Sequence, residues 1–128
     1  MSGLNVTHQA LATPEVLDRI SALDTNLAHT VVDLMKFFAT TYQDVFRMPD
    51  PPVHDPVALA IIIDMSVAKL VSAPVAVELT GLLTRGATVV DLYGTTGQAA
   101  NVDVAMELDV DKFWNLLIAA IETLGKKK

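Results

Sequence analysis

The sequence predicts an α/β chain of helices, a short N-terminal strand and a group of antiparallel strands. Three observations carry that prediction. Apolar residues recur at three- and four-residue steps from Leu27 to Val45 and again from Phe113 to Leu124, the signature of helices with one buried stripe. The period shifts to two between Val75 and Leu108, as in strands with one apolar face. Capping and turn residues mark the element ends, as at Thr13-Pro14, Pro49 to Pro52, Asp55-Pro56, Arg85-Gly86 and Gly94 to Gly97.

In chain order, Leu4-Asn5-Val6-Thr7 is a short apolar segment expected to be a strand. Thr13-Pro14-Glu15 starts a helix that runs to about Leu23, with Thr13 at the cap, Pro14 at the first helical position and Glu15 at the positive end of the dipole. A longer helix begins near Asp24 or Thr25, and Leu27, Val31, Leu34, Phe38, Tyr42 and Val45 are expected to form its buried stripe. The segment Arg47-Met48-Pro49-Asp50-Pro51-Pro52 ends it, because stacked prolines cannot continue a helix.

Asp55-Pro56 restarts a helix, with Asp55 expected to cap and Pro56 to open it. Val57 to Ile63 is apolar all round, which predicts a short, wholly buried helix. Three strands then alternate around Val75–Leu79, Thr88–Leu92 and Val102–Leu108, with Arg85-Gly86 and Gly94 to Gly97 as turns, and are expected to form an antiparallel meander. A last helix from about Val110 to Leu124 buries Phe113, Leu117, Ala120 and Leu124; Gly125 stops it, and Lys126, Lys127 and Lys128 sit at its negative end.

Composition narrows the functional classes. The 128 residues are 52% hydrophobic and 19% charged, enough apolar material for one core and too much for a disordered chain. With nine Lys+Arg against fifteen Asp+Glu, and three of the nine at the very end, there is no basic stripe for gripping phosphates, so no nucleic-acid partner is expected. The absence of cysteine excludes disulfides, thiolate metal sites and thiol catalysis. The apolar run Val57 to Ile63 is far short of the ~20 residues that span a bilayer, and no membrane partner is expected. The opening MSGLNVTHQ has neither the basic nor the apolar region of a signal peptide, and a cytoplasmic location is expected.

Among residues able to carry chemistry, His54-Asp55-Pro56 stands out. It joins the side chain that titrates nearest neutral pH to a carboxylate, at a proline-stiffened helix start. A carboxylate there can ligate a hard cation, and the neighbouring histidine can donate a proton to whatever the cation holds. The ordinary alternative is a helix cap beside a surface histidine. His8 and His29 have no partner at metal-ligand spacing and read as structural or solvent-facing, while Asp109 and Asp111 read as caps of the last helix. Tyr42 and Phe46, one turn apart before the His54 loop, read either as core packing or as an aromatic wall beside a ligand.

Several segments together resemble the inosine/uridine-preferring nucleoside hydrolases. They are Leu4-Asn5-Val6-Thr7 with Ala12-Thr13-Pro14-Glu15; Pro52-Val53-His54-Asp55-Pro56-Val57-Ala58; Val77-Glu78-Leu79-Thr80-Gly81 with Leu83 to Asp91; and Asn101-Val102-Asp103-Val104-Ala105 with Phe113-Trp114. The resemblance covers essentially the whole chain and implies a ribonucleoside N-ribosyl hydrolase, which converts nucleoside and water to ribose and base. It implies that His54 is catalytic, protonating the departing base, that Asp55 is a ligand of a calcium ion, and that Tyr42 lies in the substrate-binding pocket. Met65 after Asp64 and the prolines from Pro49 to Pro52 depart from the family pattern.

The larger departure is the aspartate-rich D-x-D-x-G-x-D-D strand end of the family, for which this chain has no counterpart. Residues 1–128 are accordingly expected to be the C-terminal segment of a nucleoside hydrolase domain without its N-terminal calcium-binding half. Such a segment is expected to be inactive alone, to hold calcium poorly, and to self-associate or pair with the other half. The alternatives are a non-catalytic remnant or interaction module, and one half of a split hydrolase.

Overall fold

Thr13 accepts a hydrogen bond from the Val16 amide and Thr25 one from the Ala28 amide, and these two caps set the first long helices. A computed structural model describes residues 1–126, and its elements run as follows. Helix α1 (Leu4–Thr7) is a single turn, α2 spans Pro14–Ser21, α3 Asn26–Phe46 and α4 Asp55–Ile63. After a 3-10 turn at Met65–Val67 come β1 (Ala68–Ala73), β2 (Val75–Val77), β3 (Thr88–Val90), β4 (Val102–Leu108) and α5 (Val110–Gly125). Mixed α/β architecture with antiparallel strands is as expected; the positions of several elements are not.

Leu4–Thr7 is helical rather than the expected strand. The segment still lies along the free edge of β4, and side chains rather than backbone satisfy most of that edge. Met1 bridges it first, its amino group donating to the Asp103 carbonyl at 2.6 Å and its carbonyl accepting from the Ala105 amide at 2.9 Å. Asn5 Nδ2 then donates to the Ala105 carbonyl at 3.0 Å. Gln9 Nε2 donates to the Met106 carbonyl at 3.2 Å while its Oε1 accepts from the Leu108 amide at 2.9 Å. Asn5 and Gln9 are four apart, so a helical turn presents both on one face. Their amides stand in for a neighbouring strand and cover the edge.

The expected three-strand meander is replaced by two separate antiparallel pairs, β1 with β4 and β2 with β3. Strand β1 carries no sequence signal: Ala68-Lys69-Leu70-Val71-Ser72-Ala73 has no clean two-residue alternation, and both its end residues are buried. The register runs from Ala68↔Leu108 to Ala73↔Val102 with an irregularity between Lys69 and Leu70 that leaves Met106 unpaired on β4. At that bulge the Met106 carbonyl accepts from Gln9. The short β2–β3 ribbon carries Leu82 and Leu83 in its connection, 97% and 94% exposed. Gly86, Gly94 and Gly97 take positive φ in the turns, as their spacing suggests. Asp91 closes the turn after β3: its carboxylate accepts from the amides and hydroxyls of Thr96 and Thr95, which holds it well below the ordinary aspartate range.

The core is small. Phe113, Ile20, Val6, Val57 and Val67 are fully buried at its centre, where α2, α3, α4 and α5 meet β1 and β4. Helix α3 buries Ala28 and Val32, with Leu27, Val31 and Met35 half-covered. Its second half is mostly uncovered, so the expected stripe breaks beyond Val31: Leu34, Phe38 and Val45 are exposed, and Tyr42 is half-buried. Arg47, in the left-handed region at φ 59°, ends the helix one residue before Met48 and ahead of the prolines. Helix α4 buries only Val57 and Ala60; Ile62 is 78% exposed, which corrects the expectation of full burial. Helix α5 buries Phe113, Trp114 and Ile121, leaving Ala120 and Leu124 exposed. Gly125 is its last residue, pressed against the Thr25 side chain where a Cβ would clash. Lys126 pairs with Glu122, whereas Lys127 and Lys128 lie outside the described residues. Among the described residues no helix is long and apolar enough to cross a membrane.

The β4 edge yields a direct test. Gln9→Ala removes the partner of the Leu108 amide and of the Met106 carbonyl, next to a buried leucine. Urea denaturation should show a loss of about 1–3 kcal/mol, the cost of leaving part-buried backbone groups unpaired. A change below about 0.5 kcal/mol would mean that the edge does not depend on this side chain.

Candidate active site around His54

The site begins with a backbone bridge. The Ala12 amide donates to the Pro51 carbonyl at 3.0 Å and the Val53 amide donates to the Ala10 carbonyl at 2.9 Å, pairing Leu11 with Pro52 in antiparallel fashion. Pro51, Pro52 and Val53 are buried there. Prolines at 51 and 52 have no amide to offer, so the loop presents its one carbonyl and one amide where residues 10–12 can use them. The chain leaves this bridge at His54 and enters α4 at once.

Two residues distant in sequence converge on the two nitrogens of the imidazole. Thr7, at the end of α1, places its Oγ1 2.9 Å from His54 Nδ1. Tyr42, on the largely uncovered second half of α3, places its hydroxyl 2.8 Å from His54 Nε2. Both ring nitrogens are therefore engaged by hydroxyls. The His8 ring lies 5.5 Å from that of His54, and Phe46 packs on Tyr42 at 5.1 Å. His8 is solvent-facing as expected, but the fold also sets it beside the site. His29 pairs with Asp24 at the surface.

A cavity of about 330 Å³ opens in front of these groups, walled by Met35, Phe38, Tyr42, His54 and Asp55 with the proline loop beneath. An aromatic and apolar wall with a few convergent polar groups is the usual composition of a small-molecule pocket. Tyr42 and His54 meet here, and the half-buried Tyr42 lines the cavity.

Asp55 departs from its expected ordinary role. His54 occupies the cap position with helical backbone angles, φ −82° and ψ −61°, and no side chain caps α4. Asp55 is already inside the helix, and Pro56 behind it has no amide to donate. The carboxylate is exposed and has no hydrogen-bond or ion-pair partner among the described residues. Asp109, by contrast, caps α5 through the Lys112 amide, as expected, and Asp111 follows in the first turn. Among the described residues no group of three or more His, Asp or Glu side chains could hold a metal ion.

Nothing in the sequence singles out Thr7. No spacing connects residue 7 to residue 54.

These contacts predict a contrast in stability. His54→Ala should cost about 1–3 kcal/mol in denaturant unfolding, because the buried Thr7 hydroxyl loses its partner. Asp55→Ala should change stability by no more than about 0.5 kcal/mol, because the carboxylate is exposed and pairs with nothing described. A large loss at Asp55 would return it to a structural role.

Comparisons with known proteins show the family. The sequence profile described as inosine-uridine preferring nucleoside hydrolase matches residues 1–115. The inosine-uridine preferring nucleoside hydrolase of Crithidia fasciculata is 43% identical over 125 residues, covering 98% of this chain and 40% of that protein. The protein of the same name from Leishmania major is 41% identical over 128 residues, again 98% of this chain and 40% of the relative. Among solved structures, the purine-preferring ribonucleoside hydrolase from Gardnerella vaginalis superposes with a TM-score of 0.82 at 27% identity, over 100% of this chain and 40% of that one. The chain thus spans about 40% of the length of the relatives it matches. Over that length, in sequence and in fold, it belongs to the inosine-uridine preferring nucleoside hydrolase family.

Proposed function

We propose that this chain supplies the proton-donating corner of a ribonucleoside N-ribosyl hydrolase, and that turnover requires the parts of the fold that its relatives carry beyond the matched 40%. The observation that supports this most is the imidazole of His54, held between two hydroxyls on the wall of a 330 Å³ cavity beside a carboxylate with no partner among the described residues. The reaction breaks the C1′–N bond, the base leaves with the electron pair, and water adds to C1′ to give ribose. A leaving base needs a proton, and the Nε2 side of His54, with the Tyr42 hydroxyl 2.8 Å away, faces the cavity from which one can be delivered. Tyr42 and Phe38 offer aromatic faces against which a planar base can stack.

Calcium takes about six to eight oxygen ligands, and Asp55 is one carboxylate that belongs to no acidic cluster among the described residues. Those residues therefore do not make a calcium site by themselves, and none of the chemistry argued for His54 passes through an ion. Asp55 is proposed as a single ligand whose companions belong to the rest of the fold. The exposed apolar residues of α3 and α4, among them Phe37 and Ile62, fit a surface that the rest of the fold covers, and they favour self-association of the chain alone.

The test mixes this chain with a polypeptide carrying the remainder of the Crithidia fasciculata relative. Ribose release from inosine or uridine should be seen in the mixture and not in either part. Sedimentation should show a defined complex replacing self-associated species. His54→Ala should then reduce nucleoside turnover by about 10²–10⁴-fold while sparing p-nitrophenyl riboside, whose leaving group needs no proton. Asp55→Ala should remove metal binding and activity toward both. Equal losses on both substrates for His54→Ala would assign the histidine to binding or structure, and a well-formed complex without turnover would favour an interaction module.

A further inference from the structure

Thr7 is a buried polar side chain, 4% exposed, at the end of a helical turn pinned to β4 on either side by Asn5 and Gln9. A buried hydroxyl proton needs an acceptor. A helical threonine commonly donates to the carbonyl four residues back, here Gly3. That carbonyl already accepts from the amides of both Val6 and Thr7, each at 3.1 Å, which uses its two lone pairs. The acceptor left within reach is His54 Nδ1, at 2.9 Å.

The direction of that bond decides the rest of the ring. A neutral imidazole carries one N–H, so a ring that accepts at Nδ1 holds its proton at Nε2. Nε2 then donates to the Tyr42 hydroxyl at 2.8 Å, on the side of the cavity. The opposite tautomer would point Nδ1–H at Thr7 and leave the threonine proton buried without a partner. We propose that Thr7 is a positioning residue: its hydroxyl fixes the orientation of the His54 ring and selects the tautomer whose proton faces Tyr42 and the cavity. In turnover it is the imidazolium, protonated on both nitrogens, that gives up its Nε2 proton and returns to a neutral ring. In the imidazolium Thr7 orients the ring and accepts from Nδ1–H, a consequence that rests on the reading of His54 as proton donor, whereas the neutral tautomer is a property of this chain.

Histidine-selective 15N labelling of the chain, read through couplings of the ring nitrogens to the carbon-bound ring protons, reports which nitrogen of neutral His54 is protonated. The wild type should show Nε2–H. Thr7→Val, which keeps the shape and removes the hydroxyl, should give a mixture of tautomers, and Thr7→Ser should restore the wild-type pattern. Nδ1–H in the wild type overturns the proposal, as does a Thr7→Val spectrum with Nε2–H unchanged. Should Thr7→Val fail to fold, the wild-type tautomer and the Thr7→Ser pattern still decide. In the reconstituted enzyme Thr7→Val should lower kcat for nucleosides with KM unchanged. The loss should stay below the ~10²–10⁴-fold that general acid catalysis as a whole is worth. Nε2–H in a reconstituted protein without nucleosidase activity would sink the proposed function and leave Thr7 in its role; activity with Nδ1–H would do the reverse.

Discussion

The pairing of Leu11 with Pro52 is the contact on which the site depends, because it ties the loop before α4 to the segment that follows α1. Two backbone hydrogen bonds, made beside prolines that have few conformations to lose, set the point at which the chain emerges as His54. Thr7 lies three residues before this bridge and His54 one residue after its last bond, so the hydroxyl and the imidazole are brought within 2.9 Å by the same local pairing. Tyr42 reaches the other nitrogen from a helix whose second half is largely uncovered.

A second constraint feeds the first. Strand β4 has one edge paired with β1 and the other closed by Met1, Asn5 and Gln9, and the same turn of helix that closes the edge carries Thr7. Edge protection and site geometry therefore share one short segment. Helix α4 and the outer half of α3 have no such economy, and show apolar residues to solvent around a small core. The relatives that share this fold are about two and a half times as long by the coverage of 40%, and their additional length offers cover for such faces.

Helices α2, α3 and α5 are legible in the sequence because caps act locally: Thr13, Thr25 and Asp109 each accept from an amide three residues on. What those helices bury is less legible, since an apolar stripe says which face seeks cover and not whether this chain provides it; Phe38 and, in α4, Ile62 are the cases in point. The Leu4–Thr7 turn reads as a strand because the residues that hold it act through side-chain amides on a strand about a hundred positions away. Strand β1 escapes a pattern reading because its burial at both ends follows from pairing with β4 rather than from alternation. In the site, His54, Asp55 and Tyr42 are reached by resemblance and chemistry together. Thr7 emerges only from the fold, because its role lies in a contact across 47 positions.

Thr7, His54 and Tyr42 should therefore act as one hydrogen-bonded unit, and a double-mutant cycle on the unfolding free energy measures this most directly. Its variants are Thr7→Val, Tyr42→Phe and the pair. The two hydroxyls meet opposite nitrogens of one ring, so coupling between them passes through the imidazole. A coupling energy of about 0.5–3 kcal/mol is the predicted result, the range found for residues in one hydrogen-bond network. Additivity within about 0.3–0.5 kcal/mol would contradict it and reduce the two bonds to independent contacts on the same ring.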